Sequence, residues 1–164
     1  MLAVARFILA LACHSLASQL YLVHDSQTCN YCGMVHISLF IDENPMLGLR
    51  TLAQIDSCYR QLFPKNANLP FGGLNVALVG YFAQLPPVGD TPLYSPPSTA
   101  ASENGCLSRD GSVLYRQFRQ SFRLQVIHRQ GGDSLEQVTF RNLLSHASRG
   151  GLNQEEWQLL NSRS

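Results

Sequence analysis

The side chains best suited to chemistry sit just past short apolar runs. Asp42-Glu43 comes after Val35–Ile41 (VHISLFI), Gln84 after Leu74–Val79 (LNVALV), and Arg129 after Leu124–Ile127 (LQVI). Such runs read as strands. In open α/β sheets ligands bind beyond the carboxyl ends of the strands, so polar groups there are placed to touch one. In a nucleotide hydrolase, paired acids have a defined task. The first carboxylate holds Mg²⁺, usually through water, and the second polarises the attacking water. Each group also has a plainer reading. Adjacent acids after a strand often form a turn or helix cap. Gln84 can be part of a proline-rich turn, since Leu85-Pro86-Pro87-Val88 comes directly after it, and Arg129 can be a solvated arginine.

Positioning these groups requires strand, helix, strand. Between the first two apolar runs, Leu47–Phe63 carries Leu49, Leu52, Ala53, Ile55, Tyr59, Leu62 and Phe63 at helical spacing, and Pro64 forbids continuation. A helix joining two strands in this order implies a parallel pair with a right-handed crossover, which puts Asp42, Glu43 and Gln84 on one edge of the sheet. Thr91–Gly111, rich in Pro, Ser, Thr and Ala, is expected to be a long surface loop. Val113–Phe122 is expected to form a helical turn or two with Leu114, Tyr115, Phe118 and Phe122 inward, and Leu124–Ile127 a further strand. Gly131-Gly132-Asp133 opens a helix with Asp133 as cap and Leu135, Val138, Leu143, Leu144 and Ala147 inside, ended by Gly150-Gly151. Asn153 and Glu156 have capping-box spacing for a last short helix bearing Trp157 and Leu160.

The 164 residues allow one domain, expected over residues 35–164 after a poorly defined segment 1–34. A hydrophobic fraction of 45% and a charged fraction of 14% suit a soluble α/β protein and exclude a disordered tail. Net charge is +1, so no general basic footprint exists, although Arg116, Arg119, Arg123 and Arg129 are crowded; DNA binding by this chain alone is expected to be weak. Met1–Ser18 has one positive charge, an apolar run and small residues at its end, the outline of a signal or transit peptide. The preferred reading is the first helix of an interior fragment, with no membrane span. Cys29-Asn30-Tyr31-Cys32, flanked by His24 and His36, has the residue types of a zinc site, but the segment is short for wrapping a tetrahedron and no second cysteine pair exists; free thiols in a reducing compartment are expected.

Gly80-Tyr81-Phe82-Ala83-Gln84-Leu85-Pro86-Pro87-Val88 resembles the third motif, G-D-F-x-Q-L-P-P-V, of the Pif-type (petite integration frequency) DNA helicases of superfamily one. Ile41-Asp42-Glu43-Asn44-Pro45-Met46-Leu47 resembles their second motif, I-D-E-x-S-M-L. The departures are Tyr81 for aspartate and Pro45 for serine. Leu52-Ala53-Gln54-Ile55-Asp56 and Phe71-Gly72-Gly73 match the wording between the motifs. His128-Arg129-Gln130 resembles the fourth motif, and Arg141-Asn142-Leu143-Leu144 and Glu156-Trp157 match the wording downstream of it. Cys13-His14-Ser15-Leu16 has a faint likeness to an upstream segment.

The resemblance implies an α/β fold, a partial RecA-like P-loop NTPase domain with a parallel sheet flanked by helices. It implies ATP and Mg²⁺ as cofactors: Asp42 as the Mg²⁺ group, Glu43 as the residue acting on water, Gln84 at the γ-phosphate, and Arg129 at the transition-state charge. It implies single-stranded or forked DNA as the partner of the full-length protein, 5′-to-3′ movement, roles in repair, recombination and telomere maintenance, and an intracellular location in nucleus or mitochondrion. No G-x-x-x-x-G-K-[ST] phosphate-binding loop occurs in the chain, and the resemblance does not reach the second motor lobe. The chain alone is therefore expected to be inactive. The alternative is a helicase-derived interaction protein that keeps the fold without the motor.

Overall fold

The computed structural model describes residues 4–5, 20–25, 36–126 and 134–162, the strand residues up to His36 by their backbone pairing alone. The chain divides into two compact units, Met1–Arg119 and Gln120–Ser164.

The first unit holds a four-stranded sheet in the order β1 (Val4–Ala5), β2 (Leu20–Asp25), β3 (His36–Ile41), β4 (Asn75–Leu78). β1, β2 and β3 pair antiparallel, while β3 and β4 pair parallel with Ile41 opposite Leu78. The sheet is thus mixed, with its parallel step where the strand–helix–strand pattern requires it. One expectation needs correction at the amino end: Val4–Ala5 is a strand, not part of a helix. Leu20–Asp25, for which the sequence named no element, is a full partner of β3. Its residues Leu-Tyr-Leu-Val favour a pleated strand, but the polar residues beyond them dilute that signal in any longer window.

α1 (Leu49–Leu62) buries Leu49, Leu52, Ala53, Ile55 and Tyr59 of the face its periodicity predicts, while Leu62 at its end is exposed. These pack in one core with Leu39 and Ile41 of β3, Leu47, Phe71, Leu93 and Leu114. Burial pushes the Tyr59 phenol up to about 12. β3 alternates as a one-sided strand does: Leu39 and Ile41 are fully buried, and Phe40 between them faces out. The residues of β4 are exposed or half-buried although its run is apolar, because it is the last strand of the described sheet.

The larger correction is α2 (Glu103–Tyr115), which occupies part of the expected surface loop. Its inward face is Gly105, Ser108, Gly111, Ser112 and Leu114, small residues that make no apolar stripe for a periodicity argument to find. Small residues serve a close approach. A side chain at Gly111 would put its Cβ 1.8 Å from the Leu49 carbonyl oxygen, and one at Gly105 would come within 2.0 Å of the Ala100 carbonyl oxygen. Ser108 accepts the Ser98 amide at 3.0 Å, and Arg109 donates to Ala100 O at 3.0 Å, so α2 also holds the segment before it. Leu114, Tyr115 and Phe118 pack inward as expected.

In the second unit Phe122 and Leu124 are about nine-tenths exposed, and residues 120–126 form no strand. Branched and aromatic composition gives a strand only where a partner ladder exists. Ile127, Asp133 and Arg129 lie outside the described residues. α3 (Leu135–Ser148) is capped by Ser134, whose hydroxyl accepts the Gln137 amide at 3.3 Å. Of its predicted inner face Leu143 is fully buried, Val138 and Ala147 are half-buried, and Leu135 and Leu144 are exposed. Gly150, at φ 70°, ends the helix as expected. α4 (Gln154–Asn161) starts with the predicted capping box. Glu156 accepts the Asn153 amide at 3.0 Å and contacts His146 Nδ1 at 2.6 Å, which together hold its carboxyl below the usual range. Among the described residues no helix is long and apolar enough to cross a membrane.

Gly111→Ala is predicted to lower stability by roughly 1–3 kcal/mol, as overpacking against backbone does, read as a lower urea midpoint at unchanged slope.

Candidate functional site

The sheet edge of interest is built by hydrogen bonds that continue the β3–β4 pairing past the strands. The Val79 amide donates to Ile41 O at 2.8 Å, and the Asn44 amide donates to Val79 O at 3.0 Å. Asp42-Glu43 is therefore held directly beside the start of the Gly80–Asp90 segment, the edge on which the sequence places the acids and Gln84. Asp42 Oδ1 accepts the Glu43 amide at 2.9 Å, and Glu43 has φ 52°, ψ 44°, a left-handed conformation that a non-glycine residue adopts at a cost. Both carboxylates are exposed.

A 3₁₀ turn, Asn44–Met46, comes next. Pro45 is its second residue, in the first turn where the missing N–H costs nothing, so the change from the helicase wording is accommodated locally. Asn44 is buried, and among the described residues its Oδ1 has no hydrogen-bond partner. It fills the space beside Gly80, where a Cβ would come within 2.5 Å of Asn44 Oδ1 and 2.8 Å of Asn44 N. Glycine is therefore a packing requirement at the first position of the third motif.

From Gly80 the chain runs outward. The Gln84 amide closes a turn onto Tyr81 O at 3.1 Å, and Gln84 and Tyr81 are both exposed. Leu85 is 75% and Val88 97% exposed. Phe82 meets Tyr94 edge to face, with ring centroids 5.4 Å apart.

The far end of this loop is gripped by a device that sequence reasoning missed. α1 begins at Gly48, which has no capping side chain. Asp90 caps it from elsewhere in the chain: Oδ1 accepts the Arg50 amide at 3.3 Å and Oδ2 the Thr51 amide at 3.1 Å, the amides an N-cap side chain would take. Thr51 Oγ1 donates to Oδ2 at 3.0 Å and Arg50 Nε to Oδ1 at 3.1 Å, while Arg50 Nη2 donates to Gly89 O. Thr91 O accepts the Leu49 amide at 2.8 Å, and Gly48 bridges Pro92. Gly48 has no room for a side chain because the Asp90 carboxylate occupies that place, with Cγ 2.1 Å from a would-be Cβ. A helix start without Ser, Thr, Asp or Asn was the sequence clue that the cap had to come from a distance.

Arg129 lies outside the described residues, as do Cys29, Cys32 and the side chains of His24 and His36. Among the described residues no cluster of three or more His, Cys, Asp or Glu could hold a metal ion, and Cys58 and Cys106 are free thiols.

Burial pushes the Asp90 carboxyl up, but donors from Thr51, Thr91 and Arg50 outweigh it and hold the group below its usual value. A carboxyl depressed in the folded state stabilises above its unfolded pKa and loses that contribution as pH falls through the folded one. The stability difference between the native chain and Asp90→Asn is predicted to be flat above about pH 5 and to shrink below about pH 4, by urea titration across that range.

Comparison with known proteins agrees with the geometry. The family model for PIF1-like helicases matches residues 5–158. The chain is similar to the ATP-dependent DNA helicase PIF5 of Trypanosoma brucei brucei (strain 927/4 GUTat10.1), 28% identical over 138 residues, which is 77% of this chain and 15% of that protein. The chain thus spans well under a fifth of the length of that relative. No solved structure matches it. The family match takes in the β2 segment as well as both motif-bearing strands, and with an α/β fold of the RecA-like kind the chain belongs to the PIF1-like helicase family.

Proposed function

We propose that this chain is part of the first motor domain of an ATP-dependent DNA helicase, to which it contributes the second, third and fourth motifs. The observation that carries the reading is the parallel β3–β4 pairing, which brings the acid pair and the start of the Gln84 loop to one sheet edge.

The donor set suits Mg²⁺ borne on a nucleotide. Two exposed carboxylates are hard oxygen donors, and Mg²⁺ in such sites takes one or two carboxylates, its remaining positions going to phosphate and water. Bound Mg·ATP would supply the phosphoryl group and the cation that neutralises it. Asp42 would hold the cation through water, with Oδ1 oriented by the Glu43 amide. Glu43 would take a proton from the attacking water. Gln84 would hydrogen-bond the γ-phosphate and pass its presence to bound DNA. Arg129 would stabilise the transition-state charge, a role worth about 10³–10⁵ in rate where arginines perform it. The DNA partner would be single-stranded or forked, the direction 5′ to 3′, and the setting repair, recombination and telomere maintenance in nucleus or mitochondrion; family resemblance supports each of these.

The 164 residues contain no phosphate-cradling glycine-lysine loop, so the chain alone is proposed to neither hydrolyse ATP nor unwind DNA. If the contacts of such a loop are worth about 4 kcal/mol, nucleotide affinity without it falls roughly a thousandfold. The purified chain is predicted to release no phosphate from ATP above background with or without single-stranded DNA; DNA-stimulated release that Glu43→Gln abolishes would overturn the inactivity. Calorimetric titration with nucleotide, with and without Mg²⁺, separates a nucleotide-binding segment from the alternative of a non-catalytic interaction protein.

Tyr81 stands where the family has an aspartate, and a phenol is larger and neutral. In a chimera that supplies the missing motor parts, Tyr81→Asp is predicted to raise ATPase activity; equal rates in both chimeras would remove Tyr81 from this account.

A further inference from the structure

Gly80–Asp90 is a strap fixed at both ends and open between them. Its first end is stitched to the acid pair by the Val79–Ile41 and Asn44–Val79 bonds. Its second end is the Asp90 carboxylate on the amino end of α1. Between the ends, Tyr81, Phe82, Leu85 and Val88 are exposed, and the inner braces are the Gln84–Tyr81 turn and the Phe82–Tyr94 contact.

We infer that Asp90 is a positioning residue: by gripping the first turn of α1 it holds the Gln84 loop in register with the Asp42-Glu43 pair. α1 is the element that starts directly after the acid-bearing turn, so Asp90 ties the third motif to the structure that carries the second. Five donors converge on its carboxylate: the amides of Arg50, Thr51 and Thr91, Arg50 Nε and Thr51 Oγ1. The side chain is 7% exposed, so water replaces none of them readily. Gly48 extends the device, because any side chain there would expel the carboxylate. The inference rests on the reading of Asp42, Glu43 and Gln84 as nucleotide-facing, but its mechanical part can be tested without nucleotide.

The test is amide hydrogen exchange on the full 164-residue chain carrying Asp90→Asn, which keeps the shape while turning one acceptor into a donor. The amides of Thr51, Thr91 and Gln84 are expected to exchange roughly tenfold faster, while Val79 and Asn44 at the other anchor keep their native rates. Unchanged exchange at Gln84 would overturn the inference, and so would an equal acceleration of Val79, which would mean general destabilisation. Should Asp90→Asn fail to fold, Thr51→Val, which removes one bond to the carboxylate, is expected to give the same pattern with a smaller amplitude. A second readout is the affinity for Mg²⁺ with adenylyl imidodiphosphate in Asp90→Asn, Gln84→Ala and the double variant. Non-additive losses are expected, since each change removes the same placed amide. Additive losses would overturn the positioning role. Because affinity without the phosphate loop is expected to be about a thousandfold weakened, only an absence of binding by the native chain at roughly millimolar nucleotide would count against the nucleotide reading, and exchange at Gln84 would then decide the Asp90 inference by itself.

Discussion

The first unit depends on one register. With β3 and β4 parallel and Ile41 opposite Leu78, the same row of hydrogen bonds that pairs the strands continues through Val79 to Asn44 and brackets the acid pair. A slip of one residue would invert every side chain, exposing Leu39 and Ile41 and bringing Phe40 into the core. Burial of those two residues against Leu49, Leu52 and Leu47 therefore fixes where Asp42 and Glu43 emerge. Core packing and site geometry are one constraint seen from two sides.

The register is reinforced at the entry to β4. Phe71 and Gly72 both have positive φ, at 52° and 62°, and a side chain at Gly72 would bring its Cβ to 2.6 Å from the Tyr59 carbonyl oxygen. The left-handed Phe71 is held by Asp56, whose Oδ1 accepts its amide at 2.6 Å while Oδ2 takes Arg60 Nε at 2.7 Å. Strain of this kind persists only where surrounding contacts over-determine it. Glu43 is the counterpart at the exit of β3. The two strained residues flank the parallel step, one delivering the chain into β4 and the other turning it away from β3.

Legibility in the sequence depended on the kind of force involved. β3, α1 and β4 were readable because apolar periodicity and branched residues record burial and pleating directly. The capping box of α4 and the glycine stop of α3 were readable because a cap is local in sequence. α2 was not, since it packs through glycine and serine and so carries no stripe. Leu124–Ile127 misled for the opposite reason: its composition suits a strand, but pairing is a property of the neighbours. The acids and Gln84 are proposed from wording and placement, whereas Asp90 acts across a separation of 40 residues and leaves no local trace beyond the uncapped start of α1.

An exposed loop can still place a side chain when its ends are fixed and its interior is stiff. The entropy of closing a loop rises only slowly with its length, so length alone would not immobilise Gly80–Asp90. Stiffness comes instead from Pro86-Pro87, whose rings lock φ and restrict the residue before them, and from the turn that closes Gln84 onto Tyr81. Of the apolar side chains on the strap, Leu85 and Val88 stand in solvent, while Phe82 meets Tyr94 edge to face. Position is thus imposed by covalent geometry, by that ring contact and by hydrogen bonds at the two anchors. That arrangement leaves the outer face of the loop open to whatever the amide of Gln84 is placed to meet.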